Sequence, residues 1–385
     1  MIIHPHFSKR QCPICGNAEV KLMFTQEFAN IEGISFLNGY DVVSCKQCSF
    51  VYASNIPEQA AFDEYYVNSN KYEHEIEQSD IITGKDEHVI EEIVRFGVDK
   101  TTSIVDIGCA KSEILRSLQK LGFTNLTGID PSVKNIEYLK SKGIDGINAT
   151  IKNIGTSKQY EIVLFIGVLE HIQDLDQTLN ILYDLTKTNG LLIVGVPNMN
   201  APLLGEFPYQ EFSREHINFF TTVSLSNLMR KHRFHMVLSK SIGKGDLVGF
   251  FRKESNSVQP DTSGVQKIQH YIDQSKIYED AIYVNLMRYS DTPVIVWGLG
   301  TFTQRLLAKN VLKNITAMVD SNPQYAGKKY NDIRIIPPVE LKNYKEPVLL
   351  AVSPRYLDAI THTIKDELKL NNKIINPHPD YTFEY

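Results

Sequence analysis

One acid–histidine pair and a second histidine are the residues of this sequence whose types and spacing can carry out chemistry. Glu215 and His216 stand together in the segment REHINFF at residues 214–220, and His171 lies in the segment LEH. A histidine titrates near neutral pH and can take a proton from a substrate, while a neighbouring carboxylate can orient the ring or hold a substrate hydroxyl. Either histidine can instead be a packing residue, and His171 is expected to open a helix. The elements that position them decide between these roles.

Four of the five cysteines form two Cys-x-x-Cys pairs, Cys12 with Cys15 and Cys45 with Cys48. Two thiolates on each of two tight turns complete the four-sulfur tetrahedron that zinc prefers. Two redox dithiols are the alternative, but correctly spaced pairs rarely occur together by chance. A shell of four thiolates leaves no open coordination position, so the sequence predicts a structural zinc site and not a catalytic one.

The composition is that of an ordinary globular protein. The chain has 385 residues, of which 42% are hydrophobic and 22% charged, with a net charge of −5. This length predicts two or three domains, and the acidic balance gives no overall attraction to nucleic acid or to an anionic membrane. Because the sequence has neither an 18-residue apolar run nor a cleavable signal pattern, we expect a cytoplasmic protein without nucleic-acid or membrane partners.

Alternating apolar strands and amphipathic helices dominate the middle of the chain. Strands are predicted at 103–107, 126–130, 161–166 and 190–196, and helices at 76–95, 111–121, 132–142 and 172–187. This order is typical of parallel βαβ units in a doubly wound α/β sheet. Residues 235–252 are expected to add two antiparallel strands at an edge of the sheet.

Three parts follow from this pattern. Residues 1–75 are predicted to be a zinc-ribbon-like module, residues 76–252 the central doubly wound domain, and residues 253–385 a C-terminal Rossmann-like domain. The polar segment 253–264 reads as a linker. A helix should follow it, because apolar residues recur on one face at Val265, Ile268, Ile272, Ile282, Leu286 and Tyr289.

The loop after the first strand of the central domain has the small residues of a nucleotide-binding turn. The segment VDIGCAKSE runs over residues 105–113, with Asp106 in the strand, Gly108 in the turn and Cys109 as a small lining residue. The next strand ends in Asp130 and Pro131, 22 residues after Gly108. An acid at this distance can accept hydrogen bonds from ribose hydroxyls.

Two further turns complete the pattern, and a weaker copy of it lies near the C-terminus. One strand ends near Gly167, and the strand after it ends in a Pro-Asn turn. In the C-terminal part, the segment WGLGTFTQ is followed by Asp320, but Thr303 stands where a dinucleotide-binding loop has its third glycine. We therefore expect the second loop to keep the turn without binding NAD.

Together the four turns of residues 100–200 resemble the motifs of class I S-adenosylmethionine (SAM)-dependent methyltransferases in order and spacing. The resemblance implies that Asp106, Gly108 and Asp130 bind SAM and that the turn after the fourth strand lines the methyl-transfer site. The chain departs from the family after Gly108, where Ala110 and then Ser112 replace the usual second glycine. An alanine still permits close approach of the backbone to the cofactor.

The three-part order is similar to that of the sugar C-methyltransferases of deoxysugar pathways. Those enzymes methylate a carbon beside the ketone of a nucleotide-linked 4-keto sugar. In that family a tyrosine after the zinc module, a histidine after the fourth strand and a Tyr-x-Glu-His segment surround the sugar. Tyr66 or its neighbour Tyr65, His171, and the pair Glu215 and His216 occupy the matching contexts.

The function that these resemblances imply is SAM-dependent methylation of a nucleotide-linked sugar. Ser213 replaces the family tyrosine before Glu215, and Tyr209 is the candidate to compensate. Methylation of a carbon, with proton abstraction by His216, is favoured narrowly over methylation of an oxygen. Two alternatives remain open: a nucleic-acid-binding protein that reads through its zinc ribbon, and an NAD-dependent oxidoreductase built on the second glycine loop. The sequence predicts no oligomeric state.

Overall fold

The computed structural model describes residues 9–29, 37–59, 61–62, 65, 84–201, 208–243, 245–253 and 261–379. The chain forms two compact units that are discontinuous in sequence. The first unit comprises residues 1–23, 42–202 and 215–268, and the second comprises residues 24–41, 203–214 and 269–385. The three-part division at residues 75 and 252 stays a prediction about the order of modules along the chain.

Seventeen strands and eight α-helices occur in the described residues. The strands are β1 (Val20–Glu27), β2 (Gly39–Cys45), β3 (Val51–Ser54), β4 (Ile104–Ile107), β5 (Leu126–Asp130), β6 (Asp145–Asn148), β7 (Tyr160–Ile166), β8 (Thr186–Pro197), β9 (Asn218–Phe219), β10 (Phe234–Ile242), β11 (Asp246–Lys253), β12 (Val294–Trp297), β13 (Ile315–Val319), β14 (Lys329–Tyr330), β15 (Ile333–Ile336), β16 (Val348–Leu350) and β17 (Ile374–Ile375). The helices are α1 (Gly84–Arg95), α2 (Glu113–Lys120), α3 (Val133–Ser141), α4 (Leu175–Leu185), α5 (Thr222–Lys231), α6 (Thr262–Met287), α7 (Thr301–Ala308) and α8 (Leu357–His362).

The large sheet of the first unit has seven strands in the order β10-β11-β8-β7-β4-β5-β6. Strands β8, β7, β4, β5 and β6 pair in parallel, whereas β11 is antiparallel to both β8 and β10. The predicted doubly wound sheet and its antiparallel edge over residues 235–252 are therefore confirmed.

Apolar side chains cover both faces of this sheet. Successive residues of a strand point to opposite faces, so Val105 and Ile107 join one apolar cluster while Ile104 joins the other. Helices α1, α2 and α3 pack in the cluster of Ile104, and α4 and α5 pack in the cluster of Val105. Helices on both faces leave the carboxyl ends of the parallel strands as the place where a ligand binds.

The segment around His171 does not open a helix, contrary to the prediction of a helix from residue 172. Leu169–His171 form a single 3-10 turn, and α4 begins at Leu175. The side chain of Asp174 accepts a hydrogen bond from Gln177 N and so caps the first turn of α4. His171 consequently lies in the connection between β7 and α4, at the carboxyl end of β7.

A small sheet of order β1-β2-β3-β9 carries the second pair of cysteines. Cys45 ends β2, Cys48 lies in the turn before β3, and both belong to the same apolar cluster as α4 and α5. Strand β3 pairs antiparallel with β9, with Val51 opposite Phe219 and Tyr52 opposite Asn218. The cysteine segment is thus hydrogen-bonded to the residues that directly follow Glu215 and His216.

The second unit has its own six-stranded sheet, of order β14-β15-β13-β12-β16-β17. Strands β15, β13, β12, β16 and β17 pair in parallel, which confirms the predicted second α/β sheet. Helix α6 begins at Thr262, inside the predicted linker 253–264, and ends at Met287, so Tyr289 lies beyond it. Residues 254–260 of that linker lie outside the described residues. Among the described helices, none combines the length and the apolar character that crossing a membrane requires.

Candidate active site

Gly108 turns the chain sharply after β4. Its φ is +72°, and a Cβ at this position would lie 2.5 Å from Cγ2 of Val168, so only glycine fits. Its N–H donates to the carbonyl of Ile129 over 2.8 Å, which fixes the loop against the end of β5. Ala110 and Ser112 also have left-handed backbones, with φ of +44° and +38°. The loop therefore has the left-handed backbone conformations that glycine favours, although its second glycine is replaced.

Asp130 lies at the end of β5 and is hydrogen-bonded into this loop. Its Oδ2 accepts from Ala110 N over 2.8 Å, and its Oδ1 accepts from Ser132 N and Asn135 Nδ2 over 2.9 and 3.1 Å. Burial raises the pKa of Asp130, although these hydrogen bonds act in the opposite direction. A carboxylate has about four lone-pair positions, so three donors leave about one for a ribose hydroxyl. A ribose that binds with both hydroxyls must displace one of these donors.

Three of the predicted cofactor residues support the loop. Asp106 is buried, and its Oδ2 accepts a 2.6 Å hydrogen bond from the hydroxyl of Ser112, the N-cap residue of α2. Cys109 is buried as well, and burial raises the pKa of its thiol well above the ordinary value. The carbonyl of Pro131 accepts from Asn148 Nδ2 over 2.8 Å, which holds the turn after β5.

Gly167 lies directly after β7, also with a left-handed backbone at φ +71°. Its N–H donates to the carbonyl of Gly195 in β8 over 2.8 Å. A Cβ on Gly167 would lie 4.0 Å from Oε1 of Glu170, so this carboxylate faces the turn. Gly167 thereby lies between β7, whose end belongs to the predicted cofactor-binding edge of the sheet, and the residues Glu170 and His171 that follow it.

His171 and the pair Glu215–His216 meet in the structure. Nδ1 of His171 lies 3.0 Å from the backbone carbonyl of Glu215, and the rings of His171 and His216 have centroids 5.0 Å apart. A carbonyl can only accept, so Nδ1 of His171 carries a proton, and its Nε2 lies 3.8 Å from Oε1 of Glu170. The predicted assembly of Glu215, His216 and His171 is therefore observed as a spatial cluster.

A tyrosine joins the cluster. The hydroxyl of Tyr65 donates to Oε1 of Glu215 over 2.7 Å, and Glu215 is buried. Of the two tyrosines predicted for this position, Tyr66 lies outside the described residues. Tyr65 fills the predicted tyrosine position within the described part of the chain.

Glu170 belongs to the cluster and was missed by the sequence analysis. It is 3% exposed, and Oε2 has no hydrogen-bond partner among the described residues. Burial raises the pKa of Glu170. Ligand atoms of Glu170, His171 and His216 all lie within 4.8 Å of one another. The only signal in the sequence was its position directly before His171, which also suits a surface acid.

Asn218 explains why two motifs 45 residues apart come together. Its Nδ2 donates to the carbonyls of Leu169 and Ile172 over 3.0 and 2.7 Å, and Ile217 N donates to the carbonyl of Glu170 over 2.9 Å. Arg10 donates to Oδ1 of the same Asn218 over 2.9 Å. The turn at 169–172 and the segment at 215–219 are thus joined by hydrogen bonds that sequence patterns do not reveal.

The four paired cysteines form a second cluster in the first unit. Sγ of Cys12 lies 3.5 Å from Sγ of Cys48, and Sγ of Cys15 lies 3.5 Å from Sγ of Cys45. All four sulfur atoms lie within 4.8 Å of one another. A zinc tetrahedron with Zn–S bonds of about 2.3 Å has edges of roughly 3.8 Å. The spacing and chemistry of this donor set fit zinc.

The second glycine loop repeats the local geometry of the first. Gly298 has φ +102°, and Asp320 accepts from Leu299 N and Asn322 N over 2.9 and 2.8 Å. The hydroxyl of Thr303 lies 2.8 and 2.7 Å from the carbonyls of Gly298 and Ala351 and can donate to one at a time. Thr303 therefore joins α7 to the ends of β12 and β16 by a hydrogen bond. In a dinucleotide-binding loop, a glycine at this position lets the helix and the strand pack closely.

Ser213 and Tyr209 both belong to the second unit. The carbonyl of Ser213 accepts from the hydroxyl of Tyr40 over 2.8 Å. Tyr209 is buried and stacks on Phe24 with ring centroids 4.4 Å apart. A compensating role for Tyr209 stays a prediction.

Comparison with known families agrees with the geometry of the first loop. Residues 83–239 match the family model of a methyltransferase domain, and residues 290–375 match a second model described as C2185-like, N-terminal. Residues 83–239, less than half of the chain, are therefore similar to a methyltransferase domain.

Curated relatives of this domain include ubiquinone biosynthesis O-methyltransferases. The one from Rickettsia canadensis is 33% identical over 119 residues, which are 29% of this chain and 50% of the relative. The one from Bradyrhizobium diazoefficiens is 32% identical over 103 residues, which are 25% of this chain and 40% of the relative. The match thus spans half or less of these relatives.

Solved structures of similar fold include two methyltransferases. The 1,6-didemethyltoxoflavin-N1-methyltransferase of Burkholderia thailandensis is 15% identical, with a TM-score of 0.42, over 55% of this chain and 98% of that one. Magnesium protoporphyrin IX methyltransferase of Synechocystis is 12% identical, with a TM-score of 0.40, over 52% and 98%. Neither substrate is carried over to this chain.

Proposed function

We propose that this protein transfers a methyl group from SAM to the carbon beside the ketone of a nucleotide-linked sugar, with His216 as the base. The observation that carries the proposal is the meeting of His216, His171 and Glu215 at the carboxyl end of β7. There the cluster borders Gly167. Asp130 lies at the carboxyl end of β5, at the same edge of the parallel sheet.

Each side chain of the cluster has a distinct task in this proposal. SAM supplies, when bound, an electrophilic methyl group on a sulfonium. His216 takes the proton from the carbon beside the ketone, and the electron pair left on that carbon forms the new bond to the methyl group. The bond between the methyl group and the sulfonium sulfur breaks at the same time, and S-adenosylhomocysteine is the leaving group. Nε2 of His171 forms a hydrogen bond with a sugar hydroxyl. The hydrogen bond from Tyr65 holds Glu215, whose carbonyl in turn orients the ring of His171.

Methylation of an oxygen is the second candidate. It is favoured by the curated relatives, which are O-methyltransferases. An oxygen acceptor needs the base but no stabilised carbanion, and the same histidines serve it. The two candidates differ in whether a carbon-bound proton is removed, and isotope exchange measures this directly.

The experiment incubates keto-sugar nucleotides in heavy water with S-adenosylhomocysteine in place of SAM. Carbon methylation predicts that deuterium enters the carbon beside the ketone, and that SAM afterwards methylates the same carbon. The His216→Ala variant is expected to lose exchange and methylation by roughly two to four orders of magnitude. His362→Ala, a control at a histidine with 62% of its side chain exposed, should retain both. Methylation without carbon exchange would favour the oxygen acceptor.

The proposal also includes a structural zinc ion held by Cys12, Cys15, Cys45 and Cys48. The donor set supports it, because four thiolates occupy every position of a tetrahedral zinc. The substrate is the small-molecule partner, and neither nucleic acid nor membrane is included. We propose a cytoplasmic location, where thiolates remain reduced and free to bind the metal.

A further inference from the structure

Lys85 is a partly buried cation near the cluster, and the reaction proposed above does not yet use it. It is the second residue of α1. A Cβ on Gly195 would lie 3.6 Å from Cδ of Lys85. The carbonyl of Gly195 also accepts from Gly167 N. The stem of Lys85 therefore lies on the strand end that borders the Gly167 turn.

The ammonium group of Lys85 is held by an ion pair, which uses only one of its three N–H donors. Its Nζ lies 3.2 Å from Oδ1 of Asp246, and 22% of the lysine side chain is exposed. Asp246 lies opposite Pro197, at the end of β8. An ammonium has three donors, and among the described residues Asp246 takes one of them. The remaining donors are available to a ligand at this edge.

The surroundings keep Lys85 charged. Burial disfavours the ammonium, but the carboxylates of Asp246 and Glu170 outweigh burial and raise the pKa of Lys85. On Glu170, burial raises the pKa, and the charge of Lys85 acts in the opposite direction. Lys85 is therefore a charged donor whose ammonium interacts electrostatically with Glu170.

We propose that Lys85 donates a hydrogen bond to the acceptor oxygen on which negative charge develops when the neighbouring carbon loses its proton. The inference rests on the proposed function and adds its missing part: a carbon acid beside a ketone needs both a base and a stabiliser of the enolate oxygen. His216 receives the proton, the electron pair moves toward the ketone oxygen, and Lys85 faces that oxygen. The substrate must therefore have a carbonyl group, whose oxygen accepts a hydrogen bond from the ammonium group of Lys85.

Three variants separate this role from a purely structural ion pair. Lys85→Met removes the charge at similar length, Lys85→Arg keeps a charge, and Asp246→Asn breaks the ion pair while leaving the ammonium. Lys231→Met is the matched control, because Lys231 is also ion-paired, to Asp176 over 2.6 Å. Each variant is measured for deuterium exchange beside the ketone, methyl transfer, SAM affinity and thermal unfolding.

Loss of one preorganised oxyanion donor typically costs roughly 10²- to 10³-fold in rate. We expect this loss in exchange and methyl transfer for Lys85→Met, with SAM affinity and unfolding temperature unchanged. Lys85→Arg should recover part of the rate. Lys231→Met should stay within about fivefold of the wild type, since it leaves Lys85 and its anchor intact. Asp246→Asn should lose less rate than Lys85→Met, since the ammonium loses its anchor but remains present.

Two outcomes would overturn the inference alone. One is a wild-type exchange rate in Lys85→Met, and the other is an equal loss in Asp246→Asn, which would assign the effect to the ion pair. Should Lys85→Met fail to fold, the comparison of Lys85→Arg with Asp246→Asn decides in the same way. A wild-type protein that neither exchanges nor methylates any keto-sugar nucleotide would instead overturn the proposed function, and the inference with it.

Discussion

Asp130 carries the cofactor prediction at the scale of a single residue. Asp130→Asn keeps the shape of the side chain but removes the charge that strengthens a hydrogen bond from ribose. Hydrogen bonds to charged groups contribute about 1.5–3 kcal/mol, so SAM affinity measured by calorimetry should fall about tenfold to a hundredfold. Asp320→Asn is a matched control, since Asp320 also accepts hydrogen bonds from two backbone N–H groups, those of Leu299 and Asn322 in the second unit. Equal SAM affinity in wild type and Asp130→Asn would refute the assignment of this loop.

The raised pKa of Asp106 predicts that the stability of the fold depends on pH. Burial raises its pKa to about 7, whereas an aspartate in an unfolded chain titrates near 3.9. Between about pH 4 and pH 7 the unfolded state thus binds fewer protons than the folded state, and this residue makes the free energy of unfolding fall as pH rises. Asp106→Asn, which stays neutral, should flatten that fall in urea titrations without SAM. An equally steep decline in Asp106→Asn would contradict the prediction.

At the scale of elements, burial determines how much the sequence reveals. The buried strands β4, β5 and β7 were predicted within one residue at each end, because their apolar runs have no other explanation. Strand β6 was missed, since its sequence DGIN is largely exposed at the sheet edge and shows no apolar pattern. The turn at Leu169–His171 looked helical because a 3-10 turn and an α-helix share similar local spacing.

The segment of the proposed zinc site is joined to the candidate active site through the pairing of β3 with β9. Purified protein should contain about one zinc per chain by metal analysis, and its removal by a chelator should lower the unfolding temperature. Cys45→Ser should lose the metal, whereas the control Cys109→Ser should keep it. Because Tyr52 pairs with Asn218, loss of zinc should also reduce the exchange reaction assigned to His216. Metal-free protein of unchanged stability would contradict the prediction.

Over the whole molecule, the sequence predicted which residues belong to the candidate site better than it predicted how they are arranged in space. His171, Glu215 and His216 were selected by residue type and motif order, and the structure brings them together. Glu170 and Lys85 were not selected, since an acid and a lysine near helix starts are common on protein surfaces. Their importance depends on burial against β7 and β8, a tertiary property. The division into units was likewise hidden, because residues 24–41 and 203–214 join the second unit from distant positions.

The two units contain loops of the same local geometry, and we expect only one of them to bind a nucleoside cofactor. Hydrogen exchange measured by mass spectrometry should show that SAM slows exchange of the backbone amides in residues 108–115 and 129–135, because a ligand bound to the native state suppresses local opening. Residues 298–304 and 320–324 should exchange at the same rate with and without SAM.

NAD at the same concentration should slow exchange at neither loop, since Thr303 occupies the position of the glycine that dinucleotide binding requires. Asp130→Asn should abolish the protection by SAM, and Asp320→Asn should leave it intact. Protection of residues 298–304 by NAD would restore the oxidoreductase alternative for the second unit. Protection of residues 108–115 by SAM alone assigns the cofactor to the first unit, where His216 and Lys85 can act on the acceptor.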